Sequence, residues 1–294
     1  MKNIKLNHNN LELSCDIFEV ENPKGIIQVI HGMCEHKIRY YKLAEFLNTL
    51  GYVVCLNDMR GHAESSNENY PLGYFGKKGE DTLVLDQAYI SKYLIDTYKL
   101  PLNIFAHSMG TIIARVYLQK YANLVDKVIL SGTPNYQPIM PIGILLAQTI
   151  SLFKGSKSHS KLLDNMVIGS FNKIVENPQT NSDWLSYNKD NVTTYNNDPL
   201  CGFSFTINGY ITLFKLLKKS HNKKKYLKND NLKILFISGV DDPCTGGMKG
   251  LNSSIDTLAY TYKNIKNITF TGMRHEILNE VNYHLVFEEI KQFI

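Results

Sequence analysis

Six short apolar runs rich in Ile, Val and Phe recur along the chain: "GIIQVIH" at 25–31, "YVVCLN" at 52–57, "LNIFAH" at 102–107, "KVILS" at 127–131, "LKILFIS" at 232–238 and "NITF" at 267–270. They are nearly continuous rather than alternating, and a strand without a polar face belongs in a sheet covered on both sides. Helical patterns lie between them. The clearest is "EDTLVLDQAYISKYLIDTYK", in which Leu83, Val84, Ala88, Ile90, Leu94 and Ile95 share one face. Parallel strands need a crossover between them, so this alternation predicts an α/β fold with a mostly parallel sheet and helices on both faces. "LELSCDIFEV" near the start alternates better, which suits an antiparallel edge hairpin strand.

The alternation stops after "SGTPNY". Residues 135–228 hold helical pieces and polar loops but no convincing parallel strand, so they are read as a helical cap, or lid, inserted into a core made of residues 1–134 and 229–294. The first piece, "PIMPIGILLAQTISLF", is apolar around much of its circumference yet too short to span a bilayer. It is expected either to cover a lipid-binding crevice or to pack down onto the core. The last helix, about residues 205–220, is expected to pack on the core.

At 294 residues with 44% apolar content, the chain can bury a large core. The N-terminal stretch has no apolar targeting segment and no run reaches membrane-span length, which points to a soluble, cytoplasmic protein, either free or peripheral at membranes. Cys15, Cys34, Cys55, Cys201 and Cys244 form no CxxC pair and read as free thiols. A net charge of +5 without a basic recognition helix gives no case for nucleic-acid binding. Much of the excess sits in "KLLKKSHNKKKYLKND", residues 215–230, which is either a solvated helix end or a stretch attracted to anionic lipid surfaces.

One strand runs directly into chemistry. "LNIFAHSMGTIIARVY" places Ser108 where a strand turns into a helix, at the edge of an α/β sheet that forms ligand crevices. Ser108 is therefore either a helix cap or a nucleophile. A nucleophile elbow needs small residues two before and two after, and Ala106 and Gly110 supply them, one step from G-x-S-x-G. A serine nucleophile also needs an imidazole to take its proton and a carboxylate to orient that imidazole. Downstream, Asp241 and Asp242 end one strand and His275 follows the next, in the order Ser, Asp, His. The backbone N–H groups of Met109, at the helix start, and Met33, after the His31–Gly32 turn, are placed to bind an oxyanion. The remaining candidates suit other roles. "HGMCEH" with His31, Cys34, Glu35 and His36 lacks metalloprotease spacing, Asp58, Arg60 and His62 read as loop braces, and no phosphate-binding glycine loop is present.

"HGMCEHKIRYYKLAEFLNTLGYVVCLNDMRGHAESS", "AHSMG", "SGVDDP" and "GMRHEILNE" together resemble the monoacylglycerol lipase and lysophospholipase group of the α/β-hydrolase superfamily, from about residue 25 to the C-terminus. "DWLSYNKDNVTTYNNDPLCGF" in the insertion is similar to bacterial members. The resemblance implies Ser108 as nucleophile, Asp242 as acid, His275 as base, and Met33 and Met109 as oxyanion donors. It selects Asp242 over Asp241 because Asp242 stands three after Gly239, as in the family's G-x-x-D. Ala106 and Ala63 stand where the family more often has glycine, which bears on local backbone geometry rather than on the reacting groups.

The expected activity is hydrolysis of a single-chain lipid ester through an acyl-enzyme on Ser108, with no cofactor or metal and with transient membrane contact through the cap. Alternatives are a short-chain carboxylesterase, an amide hydrolase of the aminopeptidase type, and a non-catalytic ligand-binding protein on the same fold.

Overall fold

The computed structural model describes residues 1–294, the side chain of Ile174 excepted. In chain order the elements are β1 (Lys2–His8), β2 (Leu11–Phe18), β3 (Gly25–Ile30), α1 (Tyr41–Thr49), β4 (Tyr52–Asn57), α2 (Gly79–Tyr98), β5 (Leu102–His107), α3 (Met109–Tyr121) and β6 (Lys127–Ser131). A helical insertion follows, with α4 (Met140–Lys154), α5 (Lys161–Val167), α6 (Lys189–Asn197) and α7 (Ile207–Ser220). The chain then returns to the sheet with β7 (Lys233–Gly239), α8 (Gly247–Ala259), β8 (Asn264–Phe270) and α9 (Tyr283–Phe293).

All eight strands form one sheet in the order β1-β2-β4-β3-β5-β6-β7-β8. From β4 to β8 every pair is parallel, while β1 with β2 and β2 with β4 are antiparallel. Every residue of β3, β4 and β5 is buried, as continuous apolar runs require. The two sheet faces carry separate cores. One gathers α2, α3 and α7, with Leu83, Ile112, Tyr117 and Phe214; the other gathers α1 and α9, with Leu43, Leu47, Val286 and Ile290. The outermost strand of the antiparallel edge is β1, so "LELSCDIFEV" is second in from that edge rather than the edge itself.

The chain leaves β3 for β4 on one side and then crosses back to β5 on the other. Such a reversal leaves a crevice beyond the carboxyl ends of the two diverging strands. Here those ends deliver His31–Gly32–Met33 and Ser108 to the same place.

The end of the insertion sits on the core. Lys215 pairs with Glu80 at 3.2 Å and Lys219 with Asp81 at 2.6 Å, joining α7 to α2, and Gln119 of α3 donates to the Lys219 carbonyl. Part of the lysine-rich run is therefore spent on intramolecular pairs. In α4, Gly143 and Ala147 are buried on the side facing Phe214 of α7, whereas Ile142, Leu145, Leu152 and Phe153 face outward, the last two about 85% exposed. No helix among the described residues is long and apolar enough to cross a membrane.

Candidate active site

Ser108 has φ 50° and ψ −120°, a strained conformation for a residue with a side chain. Hydrogen bonds hold it there: its N–H donates to the Ser131 carbonyl at 2.9 Å, and its own carbonyl accepts from the Thr111 N–H at 2.9 Å and the Thr111 hydroxyl at 2.7 Å. The sharp turn brings α3 against the end of β3. A Cβ at Gly110 would lie 2.2 Å from the Ile30 carbonyl oxygen, so only glycine fits there. Ala106, where the family more often has glycine, is completely buried in β5 without disturbing this turn.

His275 Nδ1 lies 2.9 Å from Asp242 Oδ2, and Asp242 Oδ1 accepts the Cys244 N–H at 2.8 Å. This arrangement leaves Nε2 as the imidazole nitrogen for the cavity, which Ser108, Asp242 and His275 all line. Asp241 faces elsewhere and accepts from the Tyr187 hydroxyl at 3.2 Å. Of the two adjacent aspartates, the structure brings only Asp242 to the histidine. Burial disfavours the His275 imidazolium, but the facing Asp242 carboxylate outweighs it and the pKa is held well above its ordinary value. Cys244 is a further neighbour. Burial pushes its thiol up, and Cys244 adds to the raising of His275 after Asp242.

The His31–Gly32–Met33 turn has its own support. Glu35 Oε1 accepts the Gly32 N–H at 2.5 Å and the Tyr40 hydroxyl at 2.7 Å, fixing the His31–Gly32 peptide just before Met33. Arg39 donates to Glu35 Oε2 at 2.7 Å and to both oxygens of Glu276 at 2.6 and 2.7 Å. Because Glu276 follows His275, one guanidinium ties the His31–Gly32–Met33 turn to the histidine loop. Arg39 is shared unequally between its two buried carboxylates. Burial raises Glu35, whereas at Glu276 the opposing effect of Arg39 prevails over burial, with Asn191 adding a hydrogen bond, and holds the carboxyl at about 2.

Three neighbours of the imidazole carry no recognisable signal in the sequence. Gly132, with φ 60°, lies under the ring, where a Cβ would come within 3.0 Å of His275 Cε1 and Nδ1. The His107 and Trp184 rings flank it, with centroids 4.7 and 5.0 Å away. A glycine directly after a strand was the only available hint of the first. Trp184 is brought in by the insertion, whose tertiary placement no local pattern encodes.

The residues read as loop braces do brace loops. Arg60 is paired with Asp86 at 2.8 Å, Asp58 accepts the Lys37 N–H at 2.9 Å, and the His62 ring stacks on Phe75. In "HGMCEH", His31 Nε2 accepts the Met59 N–H at 2.9 Å. Two groups have donors close enough to share a metal: His36, Asp198 and Cys201, and Asp242, Cys244 and His275. In both, the histidine and carboxylate already bond each other, at 2.7 and 2.9 Å.

The cavity has a volume of about 970 Å³. One wall is apolar, with Ile112 of α3, Ile142 and Leu146 of α4, and Leu213, Phe214 and Leu217 of α7. Polar residues line it too, among them Glu35 and a contact group in which the Tyr187 hydroxyl donates to Asp241 and the Arg274 guanidinium lies over the Tyr187 ring. A serine, an imidazole and a carboxylate lining a cavity with an apolar wall are the groups that attack on a carbonyl carried by an acyl chain requires.

Known proteins share this architecture. The family model described as serine aminopeptidase, S33 matches residues 21–282. A monoglyceride lipase homolog of monkeypox virus is 26% identical over 82% of this chain and 79% of that protein. A monoacylglycerol lipase of Mycolicibacterium smegmatis is 22% identical over 93% of this chain and 89% of that protein. The crystal structure of a highly thermostable carboxyl esterase from Bacillus coagulans superposes with a TM-score of 0.91 at 26% identity, covering 99% of this chain and 97% of that one. This chain belongs to the serine aminopeptidase S33 family and is a serine hydrolase with the α/β-hydrolase fold.

Proposed function

We propose that the protein hydrolyses carboxylic esters of single-chain lipids, monoacylglycerols or lysophospholipids, through an acyl-enzyme on Ser108. The observation that carries this reading is the cavity that Ser108, Asp242 and His275 line, with a wall of apolar side chains from α3, α4 and α7 of the kind an acyl chain fills. Ser108 Oγ attacks the ester carbonyl while His275 Nε2 takes its proton. Asp242, bonded to Nδ1, fixes the tautomer and stabilises the imidazolium. The oxyanion is held by the backbone N–H groups of Met33 and Met109. His275 returns the proton to the departing alcohol, then activates the water that releases the fatty acid. Residues 135–228 act as the cap, with α7 docked on the core.

The outward side chains Leu145, Leu152 and Phe153, none of which lines the cavity, support transient contact of the cap with a lipid surface. Lys154 and Lys157, exposed beside Phe153, favour an anionic one.

Specificity constants for homologous monoacylglycerols and lysophosphatidylcholines, measured below their critical micelle concentrations, test the proposal. Each methylene buried along the apolar wall contributes about 0.8 kcal/mol, so kcat/KM rises several-fold per carbon until the wall is filled. A flat or falling profile leaves a general carboxylesterase. Preference for aminoacyl amides in a parallel screen replaces the ester reading.

A further inference from the structure

Among the described residues three cationic side chains are buried: Lys37, Arg60 and Arg115. Two have carboxylate partners. Lys37 Nζ lies 2.6 Å from Glu64, 3.4 Å from Asp16 and 3.6 Å from Asp58, and Arg60 is paired with Asp86. Arg115, only 1% exposed, forms no ion pair. Its Nη2 reaches the Pro134 carbonyl at 3.5 Å, the outer limit of a hydrogen bond, and its Nε has no partner. The acidic group facing it is the Tyr226 phenol. That hydroxyl donates to the Ser220 carbonyl, and burial pushes it up to about 12, so it is uncharged at neutral pH.

A guanidinium does not neutralise by losing its proton, and an uncompensated buried charge is strongly disfavoured. The surroundings add no negative charge. His221 and Lys223 both lie near, and burial together with Arg115 and Lys223 keeps the His221 imidazole below its ordinary pKa. The Thr133 hydroxyl, one residue before Pro134, is also buried without a partner. The Arg115 Nε–H and the Thr133 hydroxyl are two buried donors without a protein acceptor, and no carboxylate faces Arg115, so an acceptor from solution is called for.

We propose that Arg115 anchors a binding site for a small inorganic anion, of the size of chloride, at the root of the cap. Arg115 stands on α3, seven residues after Ser108. Thr133 and Pro134 begin the segment that leaves β6 for the cap, and His221 directly follows α7, where the insertion ends. The Tyr136 ring stacks on His221 with centroids 4.3 Å apart, so the two roots of the cap already touch. An anion held here ties both roots to the helix that carries Ser108. The site does not depend on which ester the protein cleaves.

Thermal unfolding in sodium chloride and in sodium gluconate at equal ionic strength tests this, because gluconate is too bulky for such a pocket. In the wild type, chloride raises Tm with the logarithm of its concentration above its Kd, by about 3 °C at tenfold Kd. Arg115→Met abolishes the difference between the salts. Equal Tm values for the wild type in both salts, or an undiminished chloride gain in Arg115→Met, overturn the proposal. If that variant does not fold, crystals of the wild type soaked in bromide decide: an anomalous peak against the Arg115 guanidinium is expected, and density for water alone there overturns the site.

Discussion

Placing a methyl group under the His275 imidazole, the proposed base, separates what the backbone needs from what the chemistry needs. In Gly132→Ala the new Cβ meets His275 Cε1 and Nδ1 at 3.0 Å and Asp242 Oδ2 at 3.3 Å. Ordinary contact begins near 3.5 Å, so the ring must shift by roughly half an ångström. The left-handed φ of 60° adds about 1–2 kcal/mol of strain for a residue with a side chain. Gly51 provides the control. Its φ is 85°, but a Cβ there meets only the flexible Lys24 side chain at 3.8 Å or more, between α1 and β4. Both alanine variants are expected to lose about 1–2 kcal/mol of stability, read as a Tm drop of roughly 2–8 °C. Only Gly132→Ala should also lose activity, by about tenfold to a hundredfold in kcat, since misplacement approaching an ångström costs about that much. The assay is kcat and KM on a p-nitrophenyl ester well below each variant's Tm. Wild-type kcat in Gly132→Ala, or equal kcat losses in both variants, refutes the claim that Gly132 is glycine to make room for the imidazole.

Asp242→Asn should lower turnover by up to about ten-thousand-fold by favouring the wrong tautomer, whereas Asp241→Asn, which loses only the Tyr187 contact, should cost far less. The base must be neutral to act. With its pKa raised, activity should fall as pH drops through a value above about 6.5, and the residual activity of Asp242→Asn should persist to lower pH because the main charge that raises the imidazole is then gone while burial still opposes its protonation. Glu35→Ala should reduce kcat by about tenfold to a hundredfold with little change in KM, and Glu35→Gln, which keeps an acceptor for the Gly32 N–H, should recover much of it; equal losses would mean that Glu35 acts only through Arg39. Ala63→Gly should raise Tm by a few degrees, because Ala63 occupies the left-handed region at φ 36° and the relief of strain exceeds the entropy glycine adds to the unfolded chain.

The six apolar runs all became strands within a residue or a few of their expected limits, because burial on both faces leaves a continuous signal. Leu83, Val84, Ala88, Ile90 and Leu94 were equally legible and are all buried in α2. The polar residues buried beside them were not. Gln87 and Ser91 of α2 hydrogen-bond Gln28 of β3, and Asp86 pairs with Arg60, partners fixed only when helix and sheet meet. β1 escaped notice because its residues are half-buried or exposed, and an edge strand with one wet face resembles a polar loop. At the site, Ser108, Asp242 and His275 could be read because a strand-to-helix elbow and two strand-end turns have local signatures. Glu35, Arg39 and Glu276 form one cluster across more than two hundred residues of chain, and nothing in the neighbourhood of any one of them announces the other two. The departure at Ala63 was visible as a missing glycine, and its consequence, a positive φ, required the backbone.

The central claim is that Ser108 is the nucleophile, and covalent labelling tests it most directly. Wild-type protein is treated with a fluorophosphonate, digested, and its adducts mapped by mass spectrometry. A single adduct on Ser108, absent from a folded Ser108→Ala variant, is the expected result. An adduct on another residue, labelling that persists in Ser108→Ala, or an intact wild type that never labels would contradict the account.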